Sequence, residues 1–283
     1  MSQKITIGIV APARALTLEE ADRVSALIAK HNPSDHEVEV SLRFHPQCFL
    51  TDGHFAGDDT ARSAAFVEMA NDPSIDAIWF ARGGYGSCRL EETAFSRLTE
   101  RAKQKIYMGY SDTCAILGRL YAMGFDQVVH GPMPADINRN GGDATVMRAV
   151  HYFADQAANS IDTSCRPGEK LAAFNIKMLS HLLGTSWVPD FSGHVLLLED
   201  IAEYHYQLDR SFFTITSNEN VQSCAGIRLG RCSAIPENDI DFGLNEEEIA
   251  QYWCNRYNIK YLGRADIGHD VENKVVPFGL LEK

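Results

Sequence analysis

The sequence predicts an α/β fold, because short apolar segments alternate with longer amphipathic ones through its first half. The short segments have the composition of buried strands, and the longer ones have the spacing of surface helices. Strands that alternate with helices form a parallel sheet covered on both faces. Because ligands bind beyond the carboxyl ends of such strands, the residues that follow each strand are the first candidates for a functional site.

Five strands are predicted in this half, and three helices between them. The strands span 5–10, 38–44, 77–81, 105–110 and 128–129, and the helices span 18–31, 58–71 and 112–123. Segment 38–44 alternates apolar and polar side chains, which indicates a half-exposed strand, whereas 77–81 is apolar throughout and is expected to be buried.

The alternation weakens between residues 138 and 168, where two turn-like segments flank a predicted helix at 144–159. A chain of 283 residues commonly forms two domains. We therefore predict a first domain over residues 1–150 and a second over residues 165–283. The second is predicted to contain strands at 195–198 and 225–229 and helices at 175–183, 207–216 and 246–258.

Composition excludes several classes of protein. The formal net charge of -12 argues against a nucleic acid or an anionic membrane as the main partner. No apolar run approaches the length of a membrane span or a secretory signal. The seven cysteines form no CxxC pair, and no HExxH motif occurs, so neither a disulfide framework nor a zinc site is indicated. We expect a cytoplasmic protein.

Ser111 lies where the predicted strand at 105–110 meets a predicted helix. At such a sharp turn a serine hydroxyl is exposed beside the unpaired N–H groups of the first helical turn, which suits a nucleophile. The alternative is that Ser111 or Asp112 simply caps the helix. Gly109 fits the nucleophile-elbow pattern, but Thr113 stands where that pattern has a second glycine.

A glycine-rich turn, Arg82-Gly83-Gly84-Tyr85-Gly86, follows the buried strand at 77–81. Glycines let a backbone approach a ligand closely and direct N–H groups into a cleft. The turn lacks the residues of a P-loop and the spacing of GxGxxG, so it is either a plain turn or one half of an oxyanion hole beside Ser111.

Two carboxylates and two histidines could complete a catalytic site. Glu199 and Asp200 end a continuous apolar run, where a carboxylate could orient a histidine or could begin a solvated loop. His269 lies in a glycine-flanked loop near the end of the chain, and His130 is its main competitor.

Several segments together resemble the LD-carboxypeptidase family, serine peptidase family S66. They occur in the family's order and span nearly the whole chain: Ala11-Pro12-Ala13, Arg82-Gly83-Gly84-Tyr85-Gly86, Gly109-Tyr110-Ser111-Asp112-Thr113, His130-Gly131-Pro132, Leu198-Glu199-Asp200-Ile201-Ala202-Glu203 and Gly268-His269. Two departures stand out. Ala173-Phe174-Asn175 replaces the family's usual Gly-Gly-Asn, and Ala13 replaces its usual serine.

The resemblance implies a Rossmann-like N-terminal α/β domain with a parallel sheet, a smaller C-terminal α/β domain and an active site between them. It implies that Ser111 is the nucleophile, Glu199 the acid and His269 the general base, with the backbone N–H groups of Gly84 and Asp112 as oxyanion hole. The expected substrate is a small peptide such as the murein tetrapeptide, cleaved at an L–D bond by a cytoplasmic homodimer without cofactor. The residues expected to contact substrate are Arg82, Gly83, Tyr85, Asn175 and Glu203.

Arg82 could bind the carboxylate of a peptide through two parallel hydrogen bonds, or it could pair with a nearby acid such as Asp112 and brace the turn.

Two other functions stay open. One is a microcin-immunity-type amidase acting on peptidyl or aminoacyl nucleotide analogues, with Trp187 or Tyr204 as platform for a purine. The other is a non-catalytic protein that binds small ligands in the same cleft.

Overall fold

Two β-sheets organise the chain, and the computed structural model describes residues 3–31 and 38–282. The first sheet contains five parallel strands: β1 (Gln3–Val10), β2 (Val38–Phe44), β3 (Ala77–Phe80), β4 (Ile106–Gly109) and β5 (Val128–His130). Their spatial order is β5-β4-β3-β1-β2, so β4 lies inside the sheet between β3 and β5. The predicted α/β fold with a parallel N-terminal sheet is confirmed.

The second sheet is built mainly from the later part of the chain. Four parallel strands lie side by side in sequence order: β6 (Lys170–Asn175), β7 (His194–Ile201), β8 (Gly226–Ser233) and β9 (Tyr261–Arg264). Two short strands near the C-terminus then join both sheets. β10 (Val276–Pro277) pairs antiparallel with β5 of the first sheet, and β11 (Gly279–Leu280) pairs antiparallel with β6 of the second.

Ten α-helices cover these sheets in the described residues. They are α1 (Leu18–His31), α2 (Asp59–Asn71), α3 (Glu92–Ser96), α4 (Glu100–Lys103), α5 (Cys114–Ala122), α6 (Gly142–Asp155), α7 (Ile176–Leu182), α8 (His205–Thr216), α9 (Glu219–Gln222) and α10 (Glu246–Arg256). None of the helices within the described part of the chain is long and apolar enough to cross a membrane.

The sequence missed four strands and shifted some boundaries. β6, β9, β10 and β11 were not predicted, and the helix predicted over 112–123 starts as a 3₁₀ turn, Ser111–Thr113, before α5. The division into domains at 1–150 and 165–283 stays a prediction.

The two sheets share a hydrophobic core. α5 packs against β6 at Gly118, where an added Cβ would lie 3.0 Å from the carbonyl oxygen of Trp187 and 3.1 Å from the Phe174 ring. Phe174 in turn contacts Phe191 and Phe278, with ring centroids 5.7 and 5.4 Å apart. This contact fixes the helix that follows Ser111 against the second sheet.

A buried arginine on α2 supports the glycine-rich turn. Arg62 is 1% exposed and donates hydrogen bonds to the carbonyl oxygens of Pro12 (2.5 Å) and Gly86 (2.8 Å). Its guanidinium also pairs with Asp59, which binds the exposed Arg89 as well. Arg62 therefore ties the end of the turn to the segment after β1.

We predict that Arg62→Ala destabilises the fold, because two carbonyl groups lose their buried donor at about 1–3 kcal/mol each. The melting temperature is expected to fall by roughly 2–4 °C per kcal/mol. Arg89→Ala is the matched control: it removes the exposed partner of the same aspartate and is expected to cost less than about 1 kcal/mol. Equal shifts in calorimetry would contradict the assignment of Arg62 as an internal support.

Candidate active site

Ser111 occupies a strained position two residues after the end of β4. Its φ angle is +60°, in the left-handed region that non-glycine residues rarely adopt and that costs about 1–3 kcal/mol. Gly109 permits the turn, since an added Cβ there would lie 2.4 Å from the Thr113 hydroxyl, which donates to the Tyr110 carbonyl oxygen at 2.8 Å. The Ser111 hydroxyl has no hydrogen-bond partner within residues 3–31 and 38–282, so it does not cap α5.

The glycine-rich turn runs alongside Ser111. An added Cβ on Gly83 would lie 3.0 Å from the Ser111 Oγ, and one on Gly84, whose φ is +112°, would lie 2.4 Å from Arg14. Asp112 holds the far side of the turn by accepting a 2.8 Å hydrogen bond from the Ser87 N–H. Burial raises the pKa of this aspartate, although the Ser87 bond lowers it in part.

Glu199 and His269 form a buried pair. Glu199 lies on β7 and is 0% exposed, and its Oε2 lies 2.5 Å from Nδ1 of His269, which is 8% exposed. Burial lowers the pKa of His269, but the charge and hydrogen bond of Glu199 outweigh it, so the net pKa is raised above 6.5. Nε2 of His269 has no partner in the described residues and is available to a hydroxyl.

The neighbouring carboxylate points to a different task. Asp200 is 3% exposed and accepts hydrogen bonds from the Asn175 side-chain amide at 2.8 Å and from the Lys177 N–H at 3.1 Å. Asn175 also caps α7 by accepting from the Met178 N–H. Of the two carboxylates that end the apolar run, Glu199 therefore contacts the histidine, and neither lies in a solvated loop.

The loop that holds His269 is fixed from both sides. On the second sheet, Arg231 of β8 pairs with Asp266 and with both carboxylate oxygens of Asp270. From the other side, Arg148 of the helix α6 donates to the carbonyl oxygens of Val271 (2.9 Å) and Asn273 (2.8 Å). The histidine is thus held where the two sheets meet.

Ser111 and His269 line one cavity of about 280 Å³. The turn residues Arg82, Gly83 and Gly84 line it as well, and the remaining lining residues are Tyr110, Met133, Ala135, Asp136, Asn138 and Arg139. The Tyr110 and His269 rings contact each other, with centroids 4.8 Å apart. A strained serine, a carboxylate-bound histidine and a glycine turn meeting at one cavity can support attack of a hydroxyl on a carbonyl group.

Comparison with known protein families agrees with this arrangement. Residues 7–131 match the LD-carboxypeptidase N-terminal domain, and residues 170–281 match the LD-carboxypeptidase C-terminal domain. The chain belongs to the LD-carboxypeptidase family. It is accordingly a serine-type carboxypeptidase of peptidase family S66. The resemblance noted in the sequence is confirmed, and the alternative of a non-catalytic binding protein falls away.

Individual relatives in this family are similar over nearly the whole chain. The probable murein peptide carboxypeptidase of Bacillus subtilis is 27% identical over 97% of this chain and 86% of its own length. The murein tetrapeptide carboxypeptidase of Pseudomonas aeruginosa is 21% identical over 96% and 91%.

Solved structures share the fold. The muramoyltetrapeptide carboxypeptidase of Oxalobacter formigenes superposes with a TM-score of 0.78 at 23% identity, covering 96% of this chain and 93% of that one. The microcin C7 self immunity protein MccF, solved in complex with aspartyl sulfamoyl adenosine, also superposes with a TM-score of 0.78, at 18% identity over 99% and 92%.

His130, the competing histidine, lies within the fold rather than on the cavity of this LD-carboxypeptidase. It is fully buried, neither of its ring nitrogens has a hydrogen-bond partner in the described residues, and its ring packs 5.6 Å from that of Tyr110. Burial lowers the pKa of His130 to about 4, so the imidazole is neutral at pH 7.

Of the residues expected to contact substrate, Arg82 and Gly83 line the cavity, whereas Tyr85, Asn175 and Glu203 do not. Arg82 pairs with Glu20 of α1 at 3.3 Å and not with Asp112, because the Asp112 carboxylate is turned toward Ser87. Glu203 pairs with Lys177 at 2.6 Å. The substrate contacts of these residues stay predictions.

A second cavity of about 470 Å³ lies beside the glycine-rich turn. It is lined by Tyr85, Cys88, Leu90, Glu92, Met178, His181, Leu182, Thr185 and Trp187. Trp187, one of the two proposed purine platforms, donates to Glu92 at 3.1 Å and packs edge-on against Phe95. Tyr204, the other, lines neither of these two cavities and stacks on Tyr206.

Sequence reasoning missed the segment that follows β5. Asp136 accepts hydrogen bonds from the Tyr110 hydroxyl (2.8 Å), the Arg139 Nε (2.9 Å) and the Met133 N–H (2.8 Å). The only signal was the position of this segment beyond the carboxyl end of a predicted strand. Among residues 3–31 and 38–282, no group of three or more His, Cys, Asp and Glu side chains could hold a metal ion.

Proposed function

We propose that this S66 peptidase removes a terminal D-amino acid from an L–D peptide bond, as in murein tetrapeptide recycling, with Ser111, His269 and Glu199 as a catalytic triad. The observation that supports this most is the 2.5 Å contact between Glu199 and His269, which leaves Nε2 unpaired in the cavity that Ser111 also lines. An imidazole that donates its Nδ1–H to a carboxylate keeps Nε2 free to accept a proton. Such an imidazole is a suitable base for a serine hydroxyl.

In the proposed reaction, Nε2 of His269 takes the hydroxyl proton as the Ser111 Oγ attacks the carbonyl carbon of the scissile bond. The N–H groups of Gly84 and Asp112 donate to the resulting oxyanion. His269 then returns the proton to the departing amine, the D-amino acid leaves, and a water molecule hydrolyses the acyl-enzyme with His269 again as base. Glu199 stabilises the imidazolium throughout.

The cellular setting is also proposed. We expect a cytoplasmic enzyme, on the basis of seven unpaired cysteines, and a homodimer, on the basis of the family resemblance alone. Neither property enters the chemistry above.

A second substrate class has one observation in its favour. The glycine-rich turn contributes Gly84 to the catalytic cavity and Tyr85 to the cavity of about 470 Å³, where Tyr85 and Trp187 could stack on a base. A peptidyl or aminoacyl nucleotide would place its scissile bond at Ser111 and its base in this second cavity.

We predict that the murein tetrapeptide is cleaved and free D-alanine released, with no comparable turnover of a peptidyl-nucleotide analogue. Both compounds are incubated in parallel with the enzyme and with Ser111→Ala, and products are identified by mass spectrometry. Cleavage of the nucleotide analogue alone would replace the murein substrate with the second class.

Replacing triad members is expected to give large, non-additive losses. Ser111→Ala and His269→Ala are each predicted to lower kcat by about 10⁴ or more, and the double variant is predicted to lose little further because the residues act as one unit. His130→Ala serves as the control histidine and is expected to have a milder effect. Additive losses would refute the triad, and an equal loss at His130 would transfer the base to that residue.

The pH dependence follows from the raised pKa of His269. The base must be neutral, so activity is lost as pH falls through that pKa, and the acid limb of kcat/KM is expected at a higher pH than the pKa of an ordinary histidine. Glu199→Gln removes the charge that raises the pKa, and the limb is then expected to move to lower pH, because burial alone lowers the pKa. A limb that stays in place in Glu199→Gln would exclude His269 as the titrating base.

A further inference from the structure

Two guanidinium groups line the catalytic cavity of an otherwise acidic chain. The net charge of -12 repels an anionic peptide, yet Arg82 and Arg139 both face this cavity, with side chains 32% exposed. The lining contains one carboxylate, that of Asp136, which pairs with Arg139, and Glu20 pairs with Arg82 from outside the lining.

Two of the three guanidinium nitrogens of Arg139 are bound within the protein. Its Nε donates to Asp136 at 2.9 Å and its Nη2 donates to the Tyr110 hydroxyl at 3.3 Å, whereas Nη1 has no partner in the described residues. Because Asp136 also accepts from Tyr110 and from the Met133 N–H, both oxygens of that carboxylate are engaged. The Nη1 side of the Arg139 guanidinium is therefore left available to a ligand.

Arg82 is held in a similar way by Glu20. Only Nη1 of Arg82 is engaged, at 3.3 Å from the Glu20 carboxylate, and Nε and Nη2 have no partner within residues 3–31 and 38–282. The same Glu20 oxygen accepts a hydrogen bond from the side-chain amide of Asn138, the residue before Arg139. The two arginines therefore belong to one connected wall.

The sheet places this wall around the nucleophile. Arg82 follows β3, and Arg139 follows the 3₁₀ turn Pro134–Asn138 after β5. Between these two strands lies β4, whose carboxyl end leads to Ser111. A peptide whose scissile carbonyl is at Ser111 has only one residue beyond the cut if the enzyme releases a single terminal amino acid. Its free carboxylate then lies within a few bonds of Ser111, at the depth of this cavity.

We propose that Arg82 and Arg139 together bind the C-terminal carboxylate of the peptide substrate. The proposal rests on the proposed carboxypeptidase reaction and explains how the site selects the last bond of a chain. A planar guanidinium presents paired donors that match a carboxylate, and two such groups with free edges supply more donors than one carboxylate needs. An internal peptide bond offers no such anion to this wall.

The test compares a tetrapeptide that ends in free D-alanine with its C-terminal amide. The wild-type enzyme is expected to prefer the acid by about ten- to a hundredfold in kcat/KM, the value of a charge-assisted hydrogen bond. Arg82→Ala and Arg139→Ala are each expected to reduce this preference through KM, and the double variant to abolish it, because activity on the acid falls more than activity on the amide. Arg139→Lys keeps the charge without the fork and is expected to retain part of the preference.

Arg101→Ala is the matched control. Arg101 lies on α4, before β4 begins and thus at the opposite edge of the sheet from Ser111, so this variant changes the net charge equally without touching the cavity. It is expected to keep the full preference.

Binding of acid and amide to Ser111→Ala, measured by calorimetry, separates the subsite from the reaction. Tighter binding of the acid, lost on adding Arg139→Ala, supports the subsite even if the wild-type enzyme cleaves neither peptide and the proposed function fails.

The subsite is overturned if the wild-type enzyme binds and cleaves the acid and the amide equally well, or if both arginine variants keep the preference. Equal losses on acid and amide would assign the arginines a structural role, and loss of preference in only one variant would leave a single arginine as the binding residue.

Discussion

The buried contact between Glu199 and His269 is the interaction on which the site depends. A carboxylate that is 0% exposed loses its hydration, and that cost is offset only by a partner of suitable charge and geometry. His269 provides that partner from a loop held by both sheets, so the folding of the two halves and the chemistry of the imidazole are linked. The same contact raises the pKa of His269 against the effect of burial.

Strain at Ser111 is tolerated because its surroundings leave little alternative. The left-handed backbone at this residue is enclosed by β4 on one side and α5 on the other, and α5 is pressed against the second sheet at Gly118. The glycine-rich turn closes the remaining side, where Arg62 and Asp112 fix it through buried hydrogen bonds. Local strain is thus balanced by packing elsewhere, as is common at functional sites.

Sequence patterns predicted the strands that have a distinctive local composition. They missed the strands that form only because a distant part of the chain pairs with them. β1 contains three isoleucines and a valine and β7 contains a valine and three leucines in succession, whereas β6 contains two alanines and no β-branched residue, and β10 has only two residues. Such segments become strands because a neighbour offers hydrogen bonds. Likewise, the partner of Arg82 is 62 residues away in the sequence, and the contact of Glu199 with His269 spans 70 residues. The motifs therefore suggested which residues belong to the site, but not which hydrogen bonds they form.

The scaffold does not by itself determine the substrate. A murein-type carboxypeptidase and an immunity protein solved with a nucleoside analogue superpose on this chain with the same TM-score of 0.78. Specificity must therefore reside in side chains placed at the ends of shared strands, as is general for α/β folds. In this chain the segments that follow β3 and β5 place two arginines in one cavity, and a second cavity is lined by Tyr85 and by Trp187 from the segment between α7 and β7. A strongly acidic protein can attract an anionic ligand there, because a charge a few ångströms away in a partly dry cavity outweighs distant charges screened by salt.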